Sequence, residues 1–271
     1  MFSLVDAIIR SGTNPKGRLH VPAAMAPFPP GLVAEAVGQL AAWAAMEAVG
    51  FRRRPVAGIA GEVSIAGTVG TSTTLDLEAA IEDVSEESVA YGGRATADGA
   101  PVLELRGCLG PMLAMEELED PASARERFAR LTVNGGRESR IAADALAALG
   151  FAPIDGEPGR RRVAELRVPD EAEFFADHFP RKPVFPGTLL LESKIRLGAE
   201  LAAEALGVPA SEARIRFVRA VKLRRFLSPG TVVTLISEID RLEPAGARVR
   251  LRAEAEGRLV STASATAELA R

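Results

Sequence analysis

Residues 174–192 read FFADHFPRKPVFPGTLLLE, and this stretch decides the fold. Its single histidine, His178, is followed by three prolines, and each proline disfavours the αR conformation in the residue before it. We therefore predict an extended, rigid loop. Gly187 and an apolar run of helical character come next. Because Gly187 has no Cβ, backbone N–H groups at the helix start can approach a ligand closely. This layout is suited to a base held beside a small electrophilic oxygen.

The same stretch resembles the HFPxxPxxPGxLxxE signature of the β-hydroxyacyl-ACP dehydratases of the FabA/FabZ type, which adopt the hot-dog fold. The match runs without a gap from His178 to Glu192. Two positions depart from the family pattern, since Arg181 replaces a glycine and Arg196 replaces a glutamine. The resemblance implies an α+β fold in which an antiparallel sheet wraps around a long central helix.

The composition is typical of a globular protein of 271 residues, with 47% hydrophobic and 25% charged residues. A net charge of −3 gives no reason to expect nucleic acid or an anionic membrane as a partner. The single cysteine excludes an internal disulfide, and metal-type Cys/His spacing is absent. The N-terminus lacks a signal-peptide pattern, and Glu35 and Glu47 interrupt the apolar run Leu32–Val49, so we expect a cytoplasmic protein without a membrane span.

The chain also indicates an internal duplication. Three pairs of landmarks recur 156 to 158 residues apart: Gly31 with Gly187, Glu35 with Glu192, and Gly99 with Gly257. Such a constant interval is typical of a repeated unit. We predict a double hot-dog, two units packed as a pseudo-dimer, with an N-terminal unit at 1–116, a connector at 117–155 and a C-terminal unit at 156–271.

Each half is predicted to place one long helix ahead of several antiparallel strands. The helices are expected at Leu32–Val49 and Thr188–Leu206, and Phe2–Ile9 reads as a short amphipathic helix. Asp98-Gly99 and Glu256-Gly257 are hairpin signals within the two sets of strands.

In the resembled family the histidine comes from one hot-dog unit and the carboxylate from the central helix of the other. The resemblance therefore implies that His178 faces the helix of the first half. That helix contains the sequence EAVGQ at 35–39, which resembles the family's EAxxQ. Glu35 and Gln39 are four residues apart and share one helix face. One complete site is expected, formed by His178, Glu35 and Gln39.

The implied reaction removes water from a 3-hydroxyacyl thioester and leaves a trans-2-enoyl thioester. His178 would take the C2 proton, Glu35 would protonate the departing C3 hydroxyl, and the Gly187 N–H would stabilise the enolate oxygen. Phe179 and Phe185 are expected to line the acyl channel. The reaction needs no metal or redox cofactor, and its substrate is carried on the phosphopantetheine of an acyl carrier protein (ACP) or of CoA.

The spacing of Glu35 poses a geometric question. Glu35 follows Gly31 by four residues, whereas Glu192 follows Gly187 by five. One residue rotates a side chain by about 100° around a helix. The first helix must therefore begin differently for Glu35 to face His178, and the alternative is that Glu35 is only a polar residue at the seam between the units.

The reciprocal site is predicted to be inactive, with Glu192 as the alternative acid. Arg196 follows Glu192 at i+4, the favourable order for an ion pair, and we expect it to keep the carboxylate ionised. A general acid needs the protonated form. His20 lies eleven residues before Gly31, whereas His178 lies nine before its own glycine. We expect His20 to be structural or exposed.

Two further expectations concern partners. Acyl carrier proteins are acidic, so Arg181 and Lys182, beside the predicted channel mouth, are the candidates for a contact with the carrier or its phosphopantetheine. Exposed sheet edges would also permit a homodimer of the double hot-dog.

Alternatives to the dehydratase stay open at this stage. An acyl thioesterase would keep the fold and use the carboxylate to activate water, although hot-dog thioesterases generally lack the HFPxxPxxPG loop. A non-catalytic subunit that binds an acyl chain or scaffolds a synthase is compatible with the replacements at Arg181 and Arg196. These residues do not decide the length of the acyl chain, whether ACP or CoA carries it, or whether isomerisation follows dehydration. They also leave open whether the pathway is fatty acid, polyunsaturated fatty acid or polyketide synthesis.

Overall fold

The computed structural model describes residues 2–22, 25, 27–70, 72–133 and 143–269. The helices are α1 (Pro30–Ala48), α2 (Met115–Leu118), α3 (Pro121–Val133), α4 (Ala143–Ala147), α5 (Glu173–His178) and α6 (Gly187–Leu206). The strands are β1 (Ala7–Arg10), β2 (Lys16–His20), β3 (Arg53–Pro55), β4 (Ile59–Ile65), β5 (Thr74–Val84), β6 (Ser88–Ala97), β7 (Ala100–Ala114), β8 (Ala152–Glu157), β9 (Arg161–Arg167), β10 (Ala213–Leu223), β11 (Val232–Glu243), β12 (Gly246–Ala255) and β13 (Arg258–Leu269).

These strands form one continuous antiparallel sheet in the order β1-β2-β5-β6-β7-β4-β10-β13-β12-β11-β9-β8, and β3 pairs with β7. The two halves of the chain join where β4 pairs with β10, with Val63 opposite Val218 and Ala60 opposite Val221. Each half contributes one long helix that packs against its own strands, α1 on β5, β6 and β7 and α6 on β10, β11 and β12. The predicted α+β double hot-dog is confirmed.

The core lies between the sheet and the two long helices. Leu32 and Leu40 of α1 and Leu189 and Leu201 of α6 are fully buried. Complete burial of a leucine side chain stabilises the fold by about 1.5–3 kcal/mol. The helices approach each other closely at Gly31, where a Cβ would lie 2.9 Å from the Thr188 carbonyl oxygen. The absence of a side chain at Gly31 therefore allows the two halves to meet.

The helix starts resolve the question of how Glu35 is oriented. α1 begins at Pro30, one residue before Gly31, whereas α6 begins at Gly187 itself. Each acid is therefore five residues beyond its helix start, and Glu35 and Glu192 hold equivalent positions. The first half has one residue fewer between its glycine and its acid. Because α1 begins one residue before Gly31, this difference does not rotate Glu35 relative to the start of its helix.

Both predicted hairpin turns are present. Asp98 and Gly99 have φ of 49° and 77°, and Glu256 and Gly257 have φ of 51° and 69°. Positive φ at both central residues is the mark of the type I′ turn that suits the strand twist.

Two predicted conformations are wrong. The segment Phe2–Ile9 is not a helix, because its backbone is held by the Gln39 side chain and then enters β1, which pairs with β2. The signature segment is not extended throughout, since His178 ends the short helix α5. Proline restricts only its preceding residue, so Phe179 is extended directly before Pro180, and the chain then turns, with the Lys182 N–H donating to the Phe179 carbonyl at 2.9 Å.

The boundaries of the predicted connector, 117–155, stay a prediction. α3 occupies much of its first half and α4 lies in its second half, while positions 134–142 lie outside the described residues. Among the helices that the structure describes, none combines the length and apolar character needed to cross a membrane.

Candidate active site

A cavity of about 150 Å³ lies between the two halves of the chain. Its walls include His178 at the end of α5, Glu35 on α1 and Gly187 at the start of α6. Two chemically complementary side chains, one from each half, therefore reach the same enclosed space.

Glu35 is held by two hydrogen bonds. The Thr188 hydroxyl donates to its Oε2 at 2.7 Å, and Gln39 Nε2 donates to its Oε1 at 2.9 Å. Burial raises the pKa of Glu35 above its ordinary value, while Gln39, Thr188 and the more distant charge of Arg54 oppose that rise. The net upward shift favours the protonated carboxyl, the form that a general acid requires.

The His178 imidazole lies among aromatic groups. Its ring is 4.1 Å from the ring of Phe179 and meets the edge of Phe2 at 5.5 Å, between centroids. Burial first, and then the positive charge of Arg54, lower the pKa of His178 to about 3, although the backbone of Val184 raises it. The ring is therefore neutral near pH 7 and can accept a proton. Its Nδ1 is buried and has no hydrogen-bond partner among the described residues.

Arg54 is a component of the site that the sequence did not reveal. Its Nη2 donates to the His178 carbonyl at 2.8 Å, and its guanidinium lies 4.8 Å from the centre of the Phe179 ring. Arg54 and Arg127 both form ion pairs with Glu119, whose side chain is 2% exposed. The Arg52-Arg53-Arg54 run reads as a solvated strand end in the sequence, and nothing in its pattern marks Arg54 as buried.

Gln39 links the acid to the N-terminal segment. Besides Glu35, its amide donates to the Phe2 carbonyl at 3.1 Å and accepts from the Leu4 N–H at 2.8 Å. The side chain is thus fixed at both ends. It orients the Glu35 carboxyl and closes residues 2–4 over the cavity.

The remaining walls are largely apolar. Phe179 and Phe185 line the cavity, as expected, and both are buried. Trp43 of α1 and Tyr91 of β6 also line it and were not predicted. Burial raises the pKa of Tyr91 well above its ordinary value, so its hydroxyl keeps its proton. These walls give the cavity a mainly apolar surface.

Arg181 and Lys182 lie outside the cavity walls. Arg181 is tied to α2, because its Nη1 donates to the Glu116 carbonyl at 3.0 Å and its backbone N–H to the Leu118 carbonyl at 2.9 Å. The Lys182 ammonium is 5.0 Å from the centre of the Phe226 ring, and Phe226 lines the cavity. Lys182 is therefore adjacent to the site, and a carrier contact through these two residues stays a prediction.

The reciprocal carboxylate has different neighbours. Glu192 Oε2 accepts from the Gly31 N–H at 2.9 Å, and Arg196 Nε donates to Oε1 at 3.1 Å, which is the predicted ion pair. His20 lies on β2, with Nδ1 3.3 Å from the Thr74 hydroxyl. Since the sequence contains only two histidines and His178 belongs to the first cavity, Glu192 is left without an imidazole partner.

Comparison with known proteins identifies the family of the chain. The sequence model of the ApeI-like family, described as ApeI dehydratase, matches residues 156–264. The 3-hydroxyacyl-[acyl-carrier-protein] dehydratase FabZ of Granulibacter bethesdensis is 34% identical over 122 residues, which cover 44% of this chain and 71% of the relative. The chain belongs to the FabA/FabZ-type dehydratase family. In this FabZ-type chain the match to the ApeI-like family includes His178 and Gly187, whereas Glu35 lies outside it.

Solved structures extend the fold likeness of the FabZ-type chain to nearly its whole length. A MaoC-like dehydratase superposes with a TM-score of 0.54 at 15% identity, covering 96% of this chain and 99% of the other. An acyl-ACP thioesterase from Bacteroides thetaiotaomicron superposes with a TM-score of 0.57 at 10% identity, covering 94% and 98%. At these identities the likeness shows the hot-dog fold alone.

Proposed function

We propose that this FabZ-type protein removes water from 3-hydroxyacyl thioesters at a single composite site. The observation that carries the proposal is the shared cavity, in which a neutral His178 from the second half and a Glu35 of raised pKa from the first half are both present. Groups whose surroundings shift their pKa values in opposite directions are suited to separate base and acid roles.

The first half of the proposed reaction is proton abstraction. The uncharged His178 ring accepts a proton from C2 of the substrate, and the electron pair moves toward the thioester carbonyl oxygen. Gly187 is the first residue of α6, so the helix itself leaves its N–H unpaired. That N–H, at the positive end of the helix dipole, would stabilise the developing enolate oxygen.

The second half is loss of the hydroxyl group. Glu35 donates its proton to the C3 oxygen, the C3–O bond breaks, and the electron pair of the enolate forms the C2–C3 double bond. Water leaves, and the C2 proton on His178 restores the Glu35 proton before the next turnover. Thr188 and Gln39 keep the carboxyl in place throughout.

The substrate would be presented on phosphopantetheine, either of an acyl carrier protein or of CoA. The Granulibacter relative is by name a dehydratase of 3-hydroxyacyl-[acyl-carrier-protein]. The apolar walls formed by Phe179, Phe185 and Trp43 suit the acyl chain. No step of this mechanism calls for a metal or redox cofactor. We place the reaction in fatty acid synthesis, with polyunsaturated fatty acid and polyketide synthesis as variants of the same chemistry.

Mass analysis after incubation with a 3-hydroxyacyl thioester tests the proposal. The substrate is offered both on acyl carrier protein and on CoA, and we expect loss of water with the thioester bond intact. A His178→Ala variant should lose about 10²–10⁴-fold in rate, since its general base is gone. Release of free thiol would instead identify a thioesterase, and an unchanged substrate would indicate a non-catalytic acyl-binding protein.

A further inference from the structure

A second and larger cavity, of about 490 Å³, lies beside Glu192 at the opposite end of the helix pair. Its walls come from both halves of the chain, and they include Phe28 and Val33 from the first half and Ile195 and Ala199 from the second. The mechanism proposed above uses none of these residues.

The walls of this second cavity repeat those of the catalytic cavity. The Phe28 N–H donates to the Val69 carbonyl at 3.2 Å, and at the catalytic cavity the Phe185 N–H donates to the Leu227 carbonyl at 2.8 Å. The partners are 157 and 158 residues apart. On the helices, Ala199 occupies the place of Ala42. The second cavity is thus the duplicated counterpart of the first.

The polar groups, in contrast, are not repeated. Gln39, which orients the catalytic acid, is replaced by Arg196, and both oxygens of Glu192 are already occupied by Arg196 and by the Gly31 N–H. No histidine is among the described residues that line this cavity, so a pair like His178 and Glu35 is not available to a bound molecule.

The second cavity is instead bordered by positively charged side chains. Arg196, Arg214 and Arg216 all line the second cavity. Arg196 is paired with Glu192, and Arg216 donates to the Ala66 carbonyl at 3.0 Å and lies 3.8 Å from Glu268. Arg214 pairs through its backbone with Glu268 of β13 and is exposed, and its guanidinium forms no hydrogen bond or ion pair with the residues that the structure describes. An apolar cavity bordered by an available guanidinium is complementary to an apolar chain with an anionic end.

We propose that the second cavity binds, without converting it, a single acyl chain that ends in an anionic group. A fatty acid carboxylate and the phosphates of an acyl-CoA both provide this chemistry. The inference rests on the proposed function in one respect, since it takes the catalytic cavity to be an acyl cavity. Binding in the second cavity requires no turnover, however, so this proposal can be tested independently of the dehydratase activity.

Calorimetric titration with dodecanoate tests the proposal with a matched pair of variants. Ala199→Phe fills the second cavity, and Ala42→Phe fills the equivalent place in the catalytic one. We expect Ala199→Phe to weaken dodecanoate binding by about tenfold or more, while Ala42→Phe leaves it in place. Loss of binding in Ala42→Phe alone, or no binding to the unmodified protein, would overturn the proposal.

A substitution at the exposed Arg214 tests whether binding requires a positive charge beside the second cavity. Arg214→Glu should weaken dodecanoate binding by about tenfold, and its place on the surface keeps the test valid should Ala199→Phe not fold. Dodecyltrimethylammonium, which has the same chain and the opposite charge, should not bind, and equal binding of both probes would overturn the assignment. A parallel titration with dodecanoyl-CoA distinguishes the sources, since the tighter ligand identifies whether a carboxylate or a nucleotide phosphate is preferred.

Discussion

Glu35 and Glu192 show how the two halves of the chain give one residue type different surroundings. They occupy equivalent helix positions, yet Glu35 receives hydrogen bonds from two neutral side chains, whereas Glu192 is bound by an arginine and a backbone N–H. Neutral donors in a buried site allow the Glu35 carboxyl to stay protonated. The difference between these surroundings arises largely at the position four residues after each acid, which is Gln39 in the first half and Arg196 in the second.

The residues that the sequence could predict are those within a recurring pattern. His178, Gly187 and Glu35 stand at fixed distances within the signature and its duplicate, so their shared location follows from the pattern. Arg54 and Tyr91 approach the site only through long-range folding, and their sequence neighbourhoods resemble those of ordinary strand residues. The periodicity of apolar residues indicates which face of a helix or strand is buried. It does not indicate which polar side chains from distant parts of the sequence contact that face.

Lys194 provides a prediction at the same scale. Its side chain is fully buried on α6, and its Nζ donates to the Ser261 hydroxyl at 2.6 Å. Burial lowers the pKa of Lys194 to about 7. Above that pH the folded protein holds a neutral amine while the unfolded chain stays charged up to its ordinary pKa, so unfolding takes up a proton and the free energy of unfolding rises with pH.

A Lys194→Met variant should not have this dependence. Relative to the variant, the unmodified protein should gain about 2–3 kcal/mol in free energy of unfolding between pH 7 and 9, and nothing below pH 6. Urea denaturation at several pH values measures the difference. Lys222→Met, at an exposed lysine, is the matched control and should behave like the unmodified protein. A constant difference between the two proteins across this range would contradict the prediction.

At the scale of elements, the short helix α2 supports the signature segment. Arg181 donates twice to carbonyl groups of α2, and Glu119, immediately after α2, pairs with the two arginines behind His178. This contact gives Arg181, a departure from the family pattern, a structural role. It also explains how the segment between the two hot-dog units helps to fix the catalytic loop.

Removing the Glu119 carboxylate should therefore be costly. Burial lowers the pKa of Arg54 and of Arg127 to about 10, so both stay charged near neutral pH. Glu119→Ala would leave two partly buried cations without their counter-ion, and we expect a loss of about 3–5 kcal/mol in free energy of unfolding. Glu117→Ala, at an exposed position on α2, is the control and should change stability by less than about 0.5 kcal/mol. Equal stabilities of the two variants in urea denaturation would refute the role given to α2.

Element prediction succeeded where local signals and tertiary packing agree. The two long helices follow from apolar runs flanked by proline and glycine, and the hairpins follow from their turn dipeptides. The segment Phe2–Ile9 has a helical pattern, but the side chain of Gln39, far along the chain, supplies hydrogen bonds that an extended backbone satisfies. β8 is exposed throughout, so no apolar alternation reveals it.

At the scale of the whole molecule, duplication followed by divergence accounts for the arrangement. Each half has one long helix at an equivalent place, and the strands of both halves form one sheet. Together the halves form two cavities with equivalent walls. One cavity contains His178 and Glu35, which we propose as base and acid, and the other contains Glu192 paired with Arg196. A fused chain can specialise its two cavities separately, which an identical pair of subunits cannot do.

The most direct test compares the dehydration rates of Glu35→Gln and Glu192→Gln on one 3-hydroxyacyl thioester. Both changes keep the shape of the side chain and remove its acidic proton. A composite site made by His178 and Glu35 predicts that Glu35→Gln lowers kcat by about 10²–10⁴-fold, while Glu192→Gln stays within about threefold of the unmodified protein. An equal or larger loss in Glu192→Gln, or an undiminished rate in Glu35→Gln, would contradict it.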